Sequence, residues 1–165
     1  MTSCGAEEIH AWIALSCAHD LLAGRLDAAL RAEVGLTLAE HDVLVELLTA
    51  GGMLQMVEVA RTLVISNSGV TRLVGKLESD GLMERVTFPQ DRRATFARLT
   101  GKGVAALEVS QKLFSRVLAE SFSANLSDTD VRNLSRALGK LLAAHGWTPA
   151  APCVQVLQER TPITR

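Results

Sequence analysis

The sequence predicts a mainly α-helical fold that carries one small β-hairpin. Along most of the 165 residues, apolar side chains recur with the 3.6-residue period of helices. Only residues 82–99 change to the two-residue period of strands, and they follow two short helical segments. With 48% hydrophobic and 21% charged residues, the chain has the composition of one globular domain, which excludes collagen-like and largely disordered classes.

Residues 7–33 predict one long helix, with apolar positions at Ile9, Trp12, Ile13 and Leu22 and no proline to interrupt it. A helix of this length runs about 40 Å at ~1.5 Å per residue. Because the core of a chain this small does not cover that length, we expect part of the apolar stripe to contact another chain.

A capping box opens the second helix. Thr37 and Glu40 stand three residues apart, which is the spacing at which each side chain binds the other residue's backbone N–H. Inward-facing positions follow at Val43, Leu44, Leu47 and Leu48, before Gly51 and Gly52 end the helix. Residues 53–55 form a short extended segment.

Two short helices come next, over residues 57–63 and from Ser66, a good N-cap, to Asp80. In the second of them, Val70, Leu73, Val74 and Leu77 share one inward face. The outward arc then carries small polar and basic side chains, namely Asn67, Ser68, Thr71, Arg72 and Lys76. This pattern is typical of a helix-turn-helix, whose second helix can enter the major groove of duplex DNA.

A hairpin follows the helix pair. Residues 82–87 and 94–99 have strand character, and residues 88–93 are predicted to be the loop between them. Arg92 and Arg93 at the loop tip suit the minor groove, where negative potential is concentrated. We interpret Asp91 as a brace that pairs with Arg93, since an unpaired carboxylate would repel phosphate. The hairpin is therefore a wing, and the fold a winged helix-turn-helix.

Residues 101–124 and a last helix opened by Ser127 and closed by Gly146 return to helical spacing, and residues 147–165 form an irregular tail. The formal net charge of −1 conceals a local asymmetry. Residues 1–56 carry two basic against eight acidic side chains, whereas residues 57–103 carry eight basic against five acidic ones. Contact with a polyanion is therefore expected to be local to the middle of the chain.

The run from Val57 to Gly103 resembles the winged helix-turn-helix core of the MarR family of bacterial transcription regulators. The resemblance is carried by Ser68-Gly-Val-Thr-Arg-Leu-Val, Gly81-Leu-Met-Glu-Arg, Asp91-Arg-Arg-Ala and Leu99-Thr-Gly-Lys-Gly. It implies a homodimer that binds a pseudo-palindromic operator in double-stranded DNA, commonly as a repressor, and is released by a small ligand or an oxidant. Val57 departs from the family, in which a capping Ser or Thr is common.

The flanking helices match the family's dimerisation region, so the resemblance covers nearly all of residues 7–146. The chain then divides into an N-terminal dimerisation helix (1–36), the DNA-binding winged helix-turn-helix (37–103), C-terminal dimerisation helices (104–146) and the tail (147–165).

One branch of the family responds to urate and related small anions, and Trp12, Asp27, Arg61 and Arg72 are similar in position to its ligand-site residues. The resemblance implies a small anionic or aromatic effector held by Arg61, which turns Asp27 toward or away from Arg72. Simpler interpretations stay open, with Trp12 in the dimer core, and Asp27 and Arg61 as a solvated surface ion pair.

Cys17 has two interpretations, a small buried hydrophobic residue or, as in another branch of the family, an oxidant sensor. The chain lacks the tyrosines that hold the thiolate in that branch. The remaining alternative is a non-catalytic winged-helix module for protein or ligand interaction. No motif of an enzyme, cofactor or metal site is present, and His10, His19, His41 and His145 lack ligand spacing.

The sequence also indicates where the protein resides. No run approaches the roughly 20 apolar residues that span a bilayer, and acidic Glu7 and Glu8 stand where a secretory signal has cations. Three cysteines without a redox or metal spacing fit a reducing compartment. We therefore expect a cytoplasmic protein without membrane contact.

Overall fold

A computed structural model describes residues 4–62, 67–88 and 91–146, and all of their side chains except those of residues 61, 62, 67, 68, 70 and 91–93. The predicted N-cap Ser66 and the tail 147–165 lie outside the described residues. The helices are α1 (Ala6–Glu33), α2 (Leu38–Thr49), α3 (Met56–Thr62), α4 (Asn67–Ser79), α5 (Gly101–Ser121) and α6 (Asp128–Ala144). The strands are β1 (Met53–Gln55), β2 (Met83–Phe88) and β3 (Asp91–Leu99).

The predicted long first helix is confirmed, and its two halves differ in environment. Leu26 and Leu30 in the second half are 7% and 0% exposed. That half is tied to α5, because Arg116 binds Glu33 and Arg25 donates to the Ser121 hydroxyl. In the first half, Ile9, Trp12 and Ile13 are all at least half exposed. The helix therefore extends beyond the core, as its length predicted.

The capping box of α2 is confirmed. The Glu40 backbone N–H donates to Thr37 Oγ1 at 3.0 Å, and the Thr37 backbone N–H donates to the Glu40 carboxylate at 2.7 Å. A second carboxylate reaches the same helix end from α1, where Asp27 Oδ1 accepts the Leu38 N–H at 2.9 Å. Asp27 Oδ2 also accepts a hydrogen bond from Arg31 Nε at 2.6 Å. Asp27 thus joins α1 to the first helix of the winged region.

These bonds predict a pH-dependent contribution to stability. The Arg31 hydrogen bond, followed by the Leu38 N–H, holds the pKa of Asp27 below its ordinary value. The ionised carboxylate therefore stabilises the fold above pH ~4, and this contribution is lost as pH falls through the lowered pKa. We expect Asp27→Ala to cost about 1 kcal/mol at pH 7, typical of a lost helix cap, and much less near pH 3.

Chemical denaturation of both proteins at the two pH values measures the difference. Asp20→Ala is the matched control, because the Asp20 side chain is 83% exposed and its partner among the described residues is the neighbouring His19. A cost for Asp27→Ala that stays constant from pH 7 to pH 3 would contradict the assigned role.

The α3 helix begins without the capping Ser or Thr that is common in the family. It starts at Met56, and the Gln55 backbone N–H donates to the Glu58 carboxylate at 3.3 Å. This bond is one half of a capping box, supplied by the third residue of the helix. The departure at Val57 therefore leaves the helix in place.

The three strands form an antiparallel sheet in the order β1-β3-β2. The hairpin strands differ from their predicted bounds: β2 has the predicted length but is shifted by one residue to include Phe88, and β3 is longer because residues 91–93 belong to it. Phe88 pairs with Asp91. The predicted loop 88–93 is therefore wrong in its bounds. The polar run was interpreted as loop, but ladder pairing uses backbone groups and does not require apolar side chains. Phe88 also packs edge-to-face on Phe96, with ring centroids 5.3 Å apart.

The core lies beneath the winged region. Its fully buried side chains come from α2, α3, α4, the sheet and α5, and include Val43, Leu44, Leu47, Val59, Val74, Leu77, Met83, Ala97 and Leu107. Gly103 lets α5 approach the start of the wing closely, because a Cβ there would lie 2.0 Å from the Leu82 carbonyl oxygen. Packing of the inner face of α4 against this core therefore holds the helix in position.

Among the described helices, α1 and α6 each carry more than one exposed large apolar side chain. On α6 none of the residues is buried, and Leu134 and Leu141 are 37% and 51% exposed. On α1 the uncovered residues are Ile9, Trp12, Ile13 and Leu21. Within the described ranges, the structure contains no helix long and apolar enough to cross a membrane.

Candidate nucleic-acid interface

The outward face of α4 is the centre of the candidate site. Val74 and Leu77 are fully buried on its inner face, as predicted. On its outer face, Thr71, Arg72 and Lys76 are exposed. Asn67 and Ser68 lie in the first turn of the helix, and Ser66 lies outside the described residues. The structure therefore brings the described members of the predicted recognition set onto one helix.

Arg72 is the cation best placed to meet a ligand. It is exposed at the middle of the outer face, and it has no ion-pair partner among the described side chains. A guanidinium presents five donors in a planar fork that matches phosphate oxygens or a guanine edge. This side chain is available for such a contact without breaking an existing one.

Lys76, in contrast, already has a partner. Its Nζ lies 2.6 Å from Asp80 Oδ2, one helical turn further on. This hydrogen bond raises the pKa of Lys76 above its ordinary value. From the sequence, Lys76 is predicted either to contact DNA or to be a solvated surface residue, and neither prediction includes this partner, although the i,i+4 spacing of Lys76 and Asp80 is readable from the sequence.

The other cations near the end of α4 are also paired. Arg85 Nε lies 3.3 Å from Glu78 Oε2, and Arg98 Nη2 lies 2.8 Å from Glu84 Oε1. Lys102 Nζ donates to the Asp80 backbone carbonyl at 2.6 Å. The positive charge at this end is therefore largely balanced, so the unbalanced charge of the described face lies at Arg72.

The wing residues occupy the start of β3. Arg92 and Arg93 follow Asp91 directly, next to the end of the hairpin. The side chains of all three lie outside those the structure describes, and so does the predicted Asp91–Arg93 brace. Their backbone belongs to β3, which pairs with β2. The three residues are therefore part of the wing's strand pair.

The four residues of the predicted effector site do not converge in one chain. Trp12 is 68% exposed, and Asp27 lies fifteen residues further along the same helix, about 22 Å away along its axis. The observed partners of Asp27 are Arg31 and the Leu38 N–H. The side chain of Arg61 lies outside those described, and Arg72 is on the outer face of α4.

A buried polar pair lies in the seam between α2 and α5, which sequence reasoning missed. His41 is 2% exposed, its ring stacks on Phe114 with centroids 5.1 Å apart, and its Nδ1 lies 3.3 Å from Asp42 Oδ1. Gln111 is 8% exposed and lies one turn before Phe114. Among the described residues, His41 Nε2 and Gln111 Oε1 find no hydrogen-bond partner. No local signal distinguishes a stacked core histidine from a surface one.

The interpretation of Cys17 as a small buried residue is wrong for the single chain, because Cys17 is exposed. It lies four residues after Ile13 and four before Leu21, so it shares the uncovered row of α1. The expectation failed because the helix extends beyond the core that would have covered this position.

The α3–α4 pair, the β2–β3 hairpin and the core beneath them define a winged helix-turn-helix protein. Residues 34–94 match the family model described as the MarR family. The multiple antibiotic resistance protein MarR of Escherichia coli (strain K12) is 30% identical over 86 residues, which are 52% of this chain and 60% of that protein. The winged region of this chain is therefore similar to that of MarR family proteins.

Two solved structures from Streptomyces coelicolor are similar over most of the chain. AbsC, a MarR family transcriptional regulator, is 25% identical, with a TM-score of 0.77 over 88% of this chain and 97% of that one. Sco3205, a MarR family regulator in complex with DNA, is also 25% identical, with a TM-score of 0.77 over 91% and 93% of the two chains. The curated relatives are matched over only about half to three fifths of their own length.

Proposed function

We propose that the chain is a transcriptional regulator that binds double-stranded DNA by placing α4 in the major groove. The observation that carries this proposal is Arg72, an exposed guanidinium with no ion-pair partner among the described side chains, at the centre of the outer face of α4. The likeness to Sco3205, solved in complex with DNA, supports the same use of the fold.

The contacts are divided along the interface. Small polar side chains, those of Asn67, Ser68 and Thr71 on α4 and that of the preceding Ser66, approach base edges and phosphates. Arg72 binds a base edge or phosphate, and Lys76 reaches the phosphate backbone once Asp80 releases it. Arg92 and Arg93 of the wing reach the minor groove, and Asp91 braces the turn.

The proposed assembly is a homodimer. The uncovered apolar rows of α1 and α6 are the surfaces that a second copy buries. The two symmetric α4 helices then read two half-sites about one helical turn apart, which is why the expected operator is pseudo-palindromic. The flanking segments 1–36 and 104–146 serve assembly, and segment 37–103 serves DNA binding.

A small anionic or aromatic effector is proposed to control binding, with Arg61 and Arg72 as its cationic partners. Asp27 connects α1 to the start of α2, so that a shift of α1 moves the winged region. Trp12 contributes to such a site only from a second copy, because it lies about 22 Å from Asp27 in its own chain. We propose that the DNA-bound form acts as a repressor, which the effector releases.

Fluorescence anisotropy of a labelled mixed-sequence 30-base-pair duplex tests the DNA-binding function, with the matched single strand as control. We expect the protein to bind the duplex, and log Kd to increase linearly with the logarithm of the salt concentration, because phosphate contacts release counterions. Absence of duplex binding at low salt, or binding that is indifferent to salt, would overturn the proposal.

The Lys76–Asp80 pair makes a separate prediction. Asp80→Asn releases Lys76 for a phosphate, so we expect duplex binding to tighten about two- to fivefold and its salt dependence to steepen. The double variant Lys76→Gln/Asp80→Asn separates this effect from the loss of a repulsive carboxylate. If the double variant gains as much affinity as Asp80→Asn, the released lysine is not the cause.

A further inference from the structure

Three consecutive backbone carbonyls directly after α4 accept hydrogen bonds from the start of α5. Lys102 Nζ donates to the Asp80 carbonyl at 2.6 Å. The Thr100 hydroxyl lies 2.8 Å from the Gly81 carbonyl oxygen and 3.0 Å from that of Leu82. The Thr100 backbone N–H also donates to the Leu82 carbonyl, at 3.2 Å. We call this set of contacts the clasp.

The turn that the clasp holds is the turn that ends α4. Gly81 has a φ of +70°, a conformation that glycine adopts without strain. Its N–H donates to the Glu78 carbonyl, and the Leu82 N–H donates to the Leu77 carbonyl, which is the pattern of a Schellman cap. This cap uses the N–H groups of the turn and leaves its carbonyls to bond elsewhere. The clasp supplies those bonds.

The start of α5 is also packed closely against this turn. The Gly103 N–H donates to Thr100 Oγ1 at 3.0 Å, so the Thr100 side chain caps α5 while it bonds the end of α4. A Cβ at Gly103 would lie 2.0 Å from the Leu82 carbonyl oxygen. One at Gly81 would lie 3.9 Å from Lys102 Cδ. The two helix ends are therefore held together by contact as well as by hydrogen bonds.

The second half of α5 is bonded to α1. Arg116 binds Glu33, and Ser121 accepts a hydrogen bond from Arg25. With 21 residues, α5 runs about 30 Å at ~1.5 Å per residue. It therefore connects the end of the proposed recognition helix to the helix whose uncovered row is proposed to meet a second copy.

We propose that Thr100 and Lys102 are positioning residues that set the spacing between the two half-sites of the operator. The clasp fixes α4 to α5, and α5 is bonded to α1, so the clasp determines where each α4 lies within the dimer. The side chains that read each half-site lie on α4 itself and stay unchanged. This inference rests on the proposed function and adds that spacing is determined at the contact between α4 and α5.

A clasp with this role predicts how strongly the protein discriminates between spacings. One extra base pair at the centre of a palindrome moves the second half-site by about 3.4 Å and turns it by about 35°. The wild type should bind that duplex about tenfold or more weaker than the selected palindrome. In Thr100→Val/Lys102→Met, which removes both side-chain donors, this ratio should fall to about threefold or less. Affinity for a duplex with one half-site should stay within about twofold of wild type.

A merely structural role would change stability and leave this ratio unchanged. Thr100→Val removes the cap of α5, so the melting temperature of the double variant should fall by about 2–4 °C. Lys102→Met alone keeps that cap and should still lower the ratio. This single variant is measured as well, so the test does not depend on the folding of the double variant.

The experiment measures anisotropy on three duplexes: the palindrome that the wild type selects from a randomised library, the same palindrome with one central base pair added, and one half-site alone. Thr100→Ser/Lys102→Arg retains a hydroxyl and a cationic donor, so it should keep the wild-type ratio. Lys112→Met is the matched control for the lost charge, because Lys112 is an exposed lysine of α5 without an ion pair among the described side chains. It should also keep the wild-type ratio.

Two results would overturn the inference while the proposed function stands: a wild-type ratio in both Lys102→Met and the double variant, or an equal loss of affinity for the palindrome and for the single half-site. If the wild type selects no palindrome, the proposed function fails, and this inference fails with it.

Discussion

Replacing Arg72 by alanine should weaken operator binding by roughly 1.5 to 4 orders of magnitude while the fold stays intact. A well-placed arginine contact to a base edge is worth about 1–3 kcal/mol, and a dimer loses two of them, or roughly 2–6 kcal/mol in total. The fold should be unaffected, because Arg72 is exposed and without an ion-pair partner among the described side chains. Anisotropy titrations and thermal melts measure the two quantities.

Arg136→Ala is the control for the loss of one positive charge. Arg136 is also exposed and lacks an ion pair within the described ranges, but it lies on α6, far along the chain from the recognition helix. Its removal should leave operator affinity within about twofold of wild type. Equal losses for the two variants would show that overall charge, rather than the α4 face, determines binding.

The second large effect concerns assembly. The variant Ile13→Glu/Leu141→Glu should be monomeric at micromolar concentration, because it places charges on the uncovered rows of α1 and α6. The two side chains are 52% and 51% exposed in the single chain. Because each side chain is already about half buried, burying the rest against a second copy contributes about half of the ~1.5–3 kcal/mol of full burial, so four lost contacts remove roughly 3–6 kcal/mol from the dimer. The four introduced carboxylates add the cost of burying a charge. Analytical ultracentrifugation measures the change.

Val57→Glu is the matched control, since Val57 is 52% exposed but lies at the start of α3, outside both rows. It should leave the oligomeric state unchanged. Far-UV circular dichroism should show that the winged region of the monomeric variant keeps its helices, because its core lies on α2 to α5. A variant that stays dimeric would place the assembly surface elsewhere.

The elements predicted correctly are those whose signals are local. The reciprocal Thr37–Glu40 cap, the inward row at Val74 and Leu77 and the glycine-terminated end of α2 depend on residues within a few positions of one another. Such patterns act through the backbone of their own element. For that reason these elements can be predicted without knowledge of the tertiary packing.

The parts of the site that were not predicted depend on contacts between distant segments. Asp27 reaches the Leu38 N–H across the α1–α2 connection, and His41 stacks on Phe114, which is 73 residues away. The exposure of Cys17 depends on how far the core extends along α1, which its own periodicity does not reveal. In contrast, the i,i+4 spacing of Lys76 and Asp80 could have predicted their ion pair. The pair was missed because Lys76 was considered only as part of the outward face of the helix.

The most direct test of the central claim is selection from a randomised duplex library with the full chain and with Arg72→Ala/Arg93→Ala, at two salt concentrations. If two α4 helices of a homodimer read DNA, the wild type enriches a palindrome with half-sites about one helical turn apart. The variant loses that enrichment, and higher salt weakens it. No enriched sequence, or the same sequence enriched by the variant, would contradict the claim.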